Sequence, residues 1–348
     1  MNIDFSDIEY LTDPDELTLK ADYQQFLLSL DVPTIIDING KNPDKCRVIV
    51  TLLHGNEPSG LIAIHRWLTT TLPEQPPETN LRFIIASVEA ANASPLLSHR
   101  YLDGAPDLNR CFGAHCDNEF YQRAQLIEQA IKEVNPEAVI DLHNTSGSGP
   151  AFAVSTLISA KGLTLASFFC DSIILSNIKL GALMEQDFNC PTITVECGGA
   201  SDEQANEVAF SGISQIARCS SLEHYHQKKQ VDVIYKPLRL KLKPHRSLSY
   251  SCHNEGYHGV TLTSKIEQFN YGSARQGQML GWLDEHGLDN LELINDADEN
   301  VVDRYFSVRD NQLVCRTNMR IFMATADKKI ALNDCLFYVV NLPGTAPL

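Results

Sequence analysis

Apolar and polar positions alternate in two different ways along this chain. Up to about residue 220, short apolar runs alternate with stretches of helical period; beyond that, short runs separated by turns take over. In the first regime, residues 32–38 predict a strand, turned by Asn39-Gly40 into a second strand at 47–53. Pro58 suits the first position of a helix whose apolar stripe is Leu61, Ile64, Trp67 and Leu68. The proline-rich stretch 73–77 closes that unit, and 81–87 predicts the next strand. Phe120, Ala124, Ile127, Ala130, Ile131 and Val134 fit one helical face over 118–134, and Asn135-Pro136 ends it. A strand at 138–142, a helix near 160–172, a strand at 193–195 and a helix near 202–218 follow. Strands separated by helices predict an α/β fold with a covered, mostly parallel sheet over residues 30–220.

The second regime holds strand-like runs at 231–235, 238–242, 260–262, 306–308, 312–316 and 336–340. It predicts a β-rich C-terminal domain over 226–348, with the boundary in the polar stretch 224–230. Residues 1–225 then form the larger domain, opened by an amphipathic extension of about thirty residues. The chain has no internal repeat and no low-complexity tract.

Composition narrows the classes. With 348 residues, 43% hydrophobic and 21% charged, the chain reads as soluble and globular. No apolar stretch approaches the ~18 residues of a membrane span, and the acidic start lacks the flanks of a signal peptide. The ten cysteines are scattered without a CxxC pair, which predicts reduced, buried thiols and a cytoplasmic protein. A net charge of −16 argues against nucleic acid and acidic membranes as partners. An anionic substrate needs a local cation against that field, so arginines near a crevice matter.

Three apolar runs end in metal-binding or proton-moving chemistry. Residues 48–57 deliver His54 and Glu57, 139–143 end on His143, and 192–196 end on Glu196. In an open α/β sheet ligands bind outside the carboxyl ends of strands, so these side chains are expected to converge. Two histidines and one carboxylate form a known ligand set for catalytic zinc. That assignment leaves Glu196 free to move protons. A lone His-x-x-Glu is structural in most sequences, His143 alone suits a strand end, and Glu196 alone suits an ion pair; their combination changes the reading. Asp107-Leu-Asn-Arg110, preceded by Arg100-Tyr101, reads either as a solvated turn or as an anion clamp. The serine-hydrolase elbow and the nucleotide-binding glycine patterns are absent. His224, His226, His253 and His258 lie at no predicted strand end.

Together, His54-Gly-Asn-Glu57, Arg100-Tyr101, Asp107-Leu-Asn-Arg110, Asp141-Leu-His-Asn-Thr145 and Val195-Glu-Cys-Gly198 resemble the succinylglutamate desuccinylase/aspartoacylase family, relatives of the zinc carboxypeptidases. The tail, with Gly272 and Gly277-x-x-Leu280-Gly-Trp, is similar to that family's C-terminal domain. The resemblance implies a carboxypeptidase-like α/β/α sandwich around a mixed sheet, with a smaller β-rich domain. It implies one zinc per chain on His54, Glu57 and His143, with Glu196 as general base and acid. Arg100 would stabilise the oxyanion, while Asn109, Arg110 and Asn144 would bind substrate. Asp107 would accept a hydrogen bond from a metal-bound histidine. The implied reaction is hydrolysis of an N-acyl amino acid, with a metallocarboxypeptidase or a non-catalytic binding protein as alternatives and a homo-oligomer possible. Two departures stand out. Residues 184–188 are acidic where aspartoacylase-like members place an arginine for a second carboxylate, which predicts a preference for neutral or cationic side chains. Gly104-Ala-Pro106 lengthens the link between Arg100 and Asp107.

Overall fold

The computed structural model describes residues 7–114, 119–176, 179–223, 230–235, 237–333 and 335–341. The chain divides into two compact units. Met1–Asn144 and Ala151–Val233 form the first; Thr145–Pro150 and Ile234–Leu348 form the second.

The first unit is built on β1 (Glu9–Thr12), β2 (Thr34–Ile38), β3 (Asn42–Thr51), β4 (Thr79–Ile85), β5 (Ala138–Thr145), β6 (Phe152–Ser155), β7 (Ser172–Leu175), β8 (Thr192–Gly199) and β9 (Asp232–Tyr235). They make one nine-stranded mixed sheet in the order β1-β2-β4-β3-β5-β8-β6-β7-β9. The chain also forms helices α1 (Glu16–Leu19), α2 (Tyr23–Leu28), α3 (Ser59–Arg66), α4 (Val88–Asn92), α5 (Glu119–Glu133), α6 (Ala160–Ser167) and α7 (Glu203–Arg218). Strand alternation sends Ile36, Ile49, Phe83 and Ile140 to one face, against Leu61 and Ile64 of α3 and Ile213 and Ile216 of α7. Ile35, Val48, Val50, Ile84 and Val139 take the other face, against Ala124, Ile127, Ala130 and Ile131 of α5. The α/β class, with helices on both faces of a mixed sheet, is as the sequence predicts.

Two details differ. Asn39-Gly40 does not make a hairpin: β2 pairs antiparallel with β4, and β3 lies on the far side of β4, parallel to it. Gly40 instead serves a close crossing over the start of β4. Its N–H donates to Asn80 Oδ1 at 2.9 Å, and a Cβ there would lie 2.2 Å from the Thr79 carbonyl carbon. The run 231–235, read as part of the β-rich domain, is the edge strand β9. Residues 224–229, which include His224, His226 and most of the expected boundary, lie outside the described residues.

A fully buried arginine on β3 and a nearly buried one on β4 tie the helices to the sheet. Arg47 donates to Ile216 O and Cys219 O at the end of α7, each at 2.6 Å, and to Glu137 Oε1. Arg82, on the opposite face, donates to Ala130 O near the end of α5 at 2.6 Å and pairs with both oxygens of Asp37 at 2.7 Å. Each cation meets carbonyls near the C-terminal end of a helix, where the helix dipole is negative.

The second unit holds two five-stranded sheets. One runs in the order Ser273–Ala274, Met319–Phe322, Phe337–Asn341, Leu238–Leu242, Leu291–Leu293. The other runs Leu248–Ser251, Val260–Thr263, Met279–Leu283, Gln312–Cys315, Phe306–Arg309. Leu240, Leu262, Leu280, Phe306 and Phe337 are fully buried in its core.

Candidate active site

The end of β3 is bent before it delivers its ligands. Leu52 is fully buried with φ of 54°, a left-handed conformation that costs a non-glycine residue about 1–2 kcal/mol. Bonds from Ala86 N–H to Thr51 O (3.0 Å) and from Ser87 N–H to Leu52 O (2.8 Å) hold it. Gly55 then allows a close approach. Its N–H donates to Arg100 O at 2.9 Å, and a Cβ would lie 2.6 Å from Ala91 N and 2.7 Å from His99 O. The glycine of His54-Gly-Asn-Glu57 is therefore what lets the Arg100 segment pack here. Glu57 N–H closes the turn on His54 O at 3.1 Å, and α3 begins immediately after Pro58.

His54, Glu57 and His143 come together, all buried, with ligand atoms within 4.8 Å of one another. His54 Nδ1 lies 2.9 Å from Glu57 Oε1, and His143 Nδ1 lies 2.7 Å from Glu57 Oε2. The opposite ring nitrogens are backed by carboxylates: His54 Nε2 faces Asp107 Oδ1 at 2.9 Å and His143 Nε2 faces Asp141 Oδ2 at 2.8 Å. That backing favours the Nε2–H tautomer of His143, while His54 Nε2 also has Arg100 NH2 at 2.8 Å; both rings turn Nδ1 towards Glu57. His54 Nδ1 is a buried nitrogen without a hydrogen bond, although Glu57 is near. A divalent cation of zinc's ligand preference fits this donor set: two imidazole nitrogens and one carboxylate on inward-facing atoms.

The electrostatics follow from burial and crowding. Burial favours a neutral Glu57, but His54 and His143 outweigh it and hold the carboxyl well below its usual range. Burial opposes a charged His143, yet Asp141 and Glu57 keep its pKa well above the ordinary value. Glu196, inside β8, behaves differently. Burial pushes its carboxyl up to about 7, with His143 pulling the other way, and its Oε2 is buried without a hydrogen bond. An unpartnered carboxylate poised near neutrality beside a cation site is suited to move protons.

A family model for the succinylglutamate desuccinylase/aspartoacylase catalytic domain matches residues 45–218, half of the chain. The chain belongs to this family. Solved structures agree in fold. Succinylglutamate desuccinylase from Vibrio cholerae is 14% identical, with a TM-score of 0.56 over 94% of this chain and 96% of that one. Murine aminoacylase 3 is 16% identical, with a TM-score of 0.53 over 87% and 96%. A succinylglutamate desuccinylase/aspartoacylase from Rhodobacter sphaeroides is 14% identical, with a TM-score of 0.53 over 90% and 87%. No curated protein matches the chain in sequence. The family is one of deacylating hydrolases.

The family's other positions are placed as follows. Arg100 NH1 donates to Glu57 Oε1 at 3.0 Å, and its Nε and NH2 each lie 3.3 Å from Asp107 Oδ2, despite the longer 104–106 link. Asn109 is buried: its Oδ1 accepts from Leu183 N–H at 2.9 Å, and its Nδ2 faces His143 Nε2 at 3.3 Å. Arg110 is exposed, donates to Asn109 O at 2.7 Å, and has no carboxylate partner among the described residues. Asn144 is buried: its Nδ2 donates to Ser59 Oγ and Gly198 O, and its Oδ1 accepts from Ser59 N–H, so its amide joins α3 to β8.

The acidic stretch is also less repulsive than its charge suggests. Glu185 accepts the N–H groups of Leu180 and Gly181, and Asp187 accepts that of Asn189, so both carboxylates close local turns. Gln186 between them folds back onto Ala182 O at 3.2 Å. The stretch therefore lacks a cation without presenting free anions. In the second unit His258, Asp284 and Glu285 also cluster, but Asp284 is already taken by Gly259 N–H, His286 N–H and Asn290 Nδ2.

Asp141 is the residue that sequence reasoning passed over. Asp141 and His143 share one strand face, a signal visible in the sequence. The carboxylate is fully buried and also accepts from Thr194 Oγ1 at 3.3 Å. Asp141→Asn is expected to weaken the affinity of the cluster for a divalent cation about 10–100-fold, read by competition with a chelator. An unchanged dissociation constant would show that the backing carboxylate is dispensable.

Proposed function

We propose that this chain is a zinc-dependent hydrolase of the amide bond of N-acyl amino acids, releasing a carboxylic acid and the free amino acid. The observation that carries the reading is the pair of carboxylate-backed histidines turned onto Glu57 beside the unpartnered Glu196. His54, Glu57 and His143 would hold one zinc ion, which when bound supplies Lewis acidity and lowers the pKa of water. Glu196 takes the proton of the attacking water and delivers it to the leaving nitrogen. Arg100 stabilises charge on the carbonyl oxygen. Arg110, free of ion pairs among the described residues, binds the α-carboxylate.

Two measurements test it. Elemental analysis is expected to give about one zinc per chain, and zinc is expected to raise Tm in the parent protein but not in His143→Ala. A panel of N-acyl amino acids, with short peptides alongside and released amine as the readout, tests the reaction. Neutral side chains are expected to have the highest kcat/KM, because Gln186 supplies no cation for a second carboxylate. N-acetylaspartate as the best substrate overturns that preference. Peptides outrunning every N-acyl amino acid overturn the deacylase reading in favour of a carboxypeptidase.

A further inference from the structure

Three residues of the site stand on three elements of the first unit that meet: His143 on β5, Glu196 on β8 and Glu57 just before α3. Asn144 occupies the junction and is buried there. Its Nδ2 donates to Ser59 Oγ on α3 at 2.8 Å and to Gly198 O on β8 at 2.9 Å, so both amide hydrogens are used. Its Oδ1 accepts the Ser59 N–H at 3.1 Å. That N–H is one of the first-turn donors a helix cannot pair, and Pro58 before it supplies no side-chain cap. The backbone N–H of Asn144 reaches Glu57 Oε2 at 3.2 Å. Close packing at the start of α3 puts these groups within reach. A Cβ on Gly60 would lie 2.1 Å from Thr51 Oγ1 on β3 and 3.1 Å from Leu142 Cβ on β5.

An amide suits this junction because one short stem carries two donors and an acceptor. Alanine lacks all three. The fastening extends to α7, since Ser59 Oγ donates to Asn206 Oδ1 at 2.8 Å. On β8 it acts two residues past Glu196, where Gly198 departs from strand geometry with φ of 118°. Proton transfer depends on where the base is held, and a misplacement of about 1 Å costs roughly 10²-fold in rate. We propose that Asn144 is a positioning residue for proton transfer, fixing the end of β8, and with it Glu196, against the elements that carry Glu57 and His143. It acts through Ser59 and Gly198. The proposal rests on the deacylase reading above.

The test uses the full chain loaded with zinc and the panel of N-acyl amino acids. Asn144→Ala is expected to lower kcat about 10–100-fold while KM stays within about threefold. Zinc per chain is expected to equal that of the parent, because the three clustered residues are untouched. Amide exchange across residues 57–60 and 196–199 is expected to accelerate. Ser59→Ala removes one acceptor of Nδ2 and keeps the N–H, so it is expected to show a smaller fall in kcat. It decides the matter if Asn144→Ala does not fold. A rise in KM with kcat unchanged makes Asn144 a substrate contact, and a lower Tm with both constants unchanged makes it structural; either overturns the proposal. So does unchanged exchange, or zinc lost in step with kcat. A parent protein inactive on the whole panel sinks the deacylase reading instead, while the exchange measurement still decides whether Asn144 fastens the strand ends.

Discussion

Replacing Glu196 with Gln lowers kcat by about 10²–10⁴ while zinc stays bound. The amide keeps the size and polarity of the carboxyl but cannot accept a proton. Because Glu196 is not one of the three clustered ligands, the metal content of the variant, read by elemental analysis, is expected to equal that of the parent. A pH profile supplies the second readout. Burial raises the Glu196 carboxyl to about 7, so its basic form is depleted as pH falls through that value. A bound divalent cation shifts this limb to lower pH, since positive charge favours the ionised form. The acid limb of kcat/KM is expected in the parent and absent in Glu196→Gln. Turnover within a few-fold of the parent would make Glu196 structural and require another base.

The second large effect concerns stability and leaves chemistry alone. Arg47→Met removes a fully buried guanidinium and its bonds to Ile216 O, Cys219 O and Glu137 Oε1, leaving Glu137 with only its ion pair to Lys45 at 3.1 Å among the described residues. Breaking one side of such a buried pair costs about 3–5 kcal/mol. In a unit of this size that corresponds to a fall in Tm of roughly 10 °C, measured by thermal melting. Arg47 lies in the middle of β3 and His54 beyond its end, so kcat/KM of the folded variant is expected to match the parent. A melting temperature within one or two degrees of the parent would show that water or Lys45 replaces the guanidinium.

The clustering of His54, Glu57 and His143 was legible because its signals are local: a tight turn with two of them three apart, and an apolar run that stops on the third. The α/β class was legible for the same reason, since periodicity in residues 30–220 switches between strand and helix. What escaped depended on distant partners. An asparagine at a strand end does not announce its partners, and the contacts of Asn144 with Ser59 and Gly198 join elements far apart in the sequence. Asn39-Gly40 carries a hairpin signal, but the strand that pairs with β2 lies forty residues later in the chain. Gly147 and Gly149 give no local sign of their close neighbours, Ala324 and Asn270, which lie more than a hundred positions on.

The two strand arginines also bear on the order in which the chain assembles. Arg82 meets its helix 48 positions later, at Ala130, whereas Arg47 waits for Ile216 and Cys219, 169 and 172 positions downstream. On a ribosome, the α5 face of the sheet has its cation partnered while the other face, already met by α3, still lacks α7 and the two carbonyls that Arg47 meets there. Closing that face requires a long chain to be synthesised and looped back, a slow step that leaves the nascent sheet open to wrong partners. β3 and β5, which lead to His54 and His143, are therefore complete in sequence well before the molecule can seal the side that α7 covers, whereas β8, with Glu196, is made only just ahead of α7.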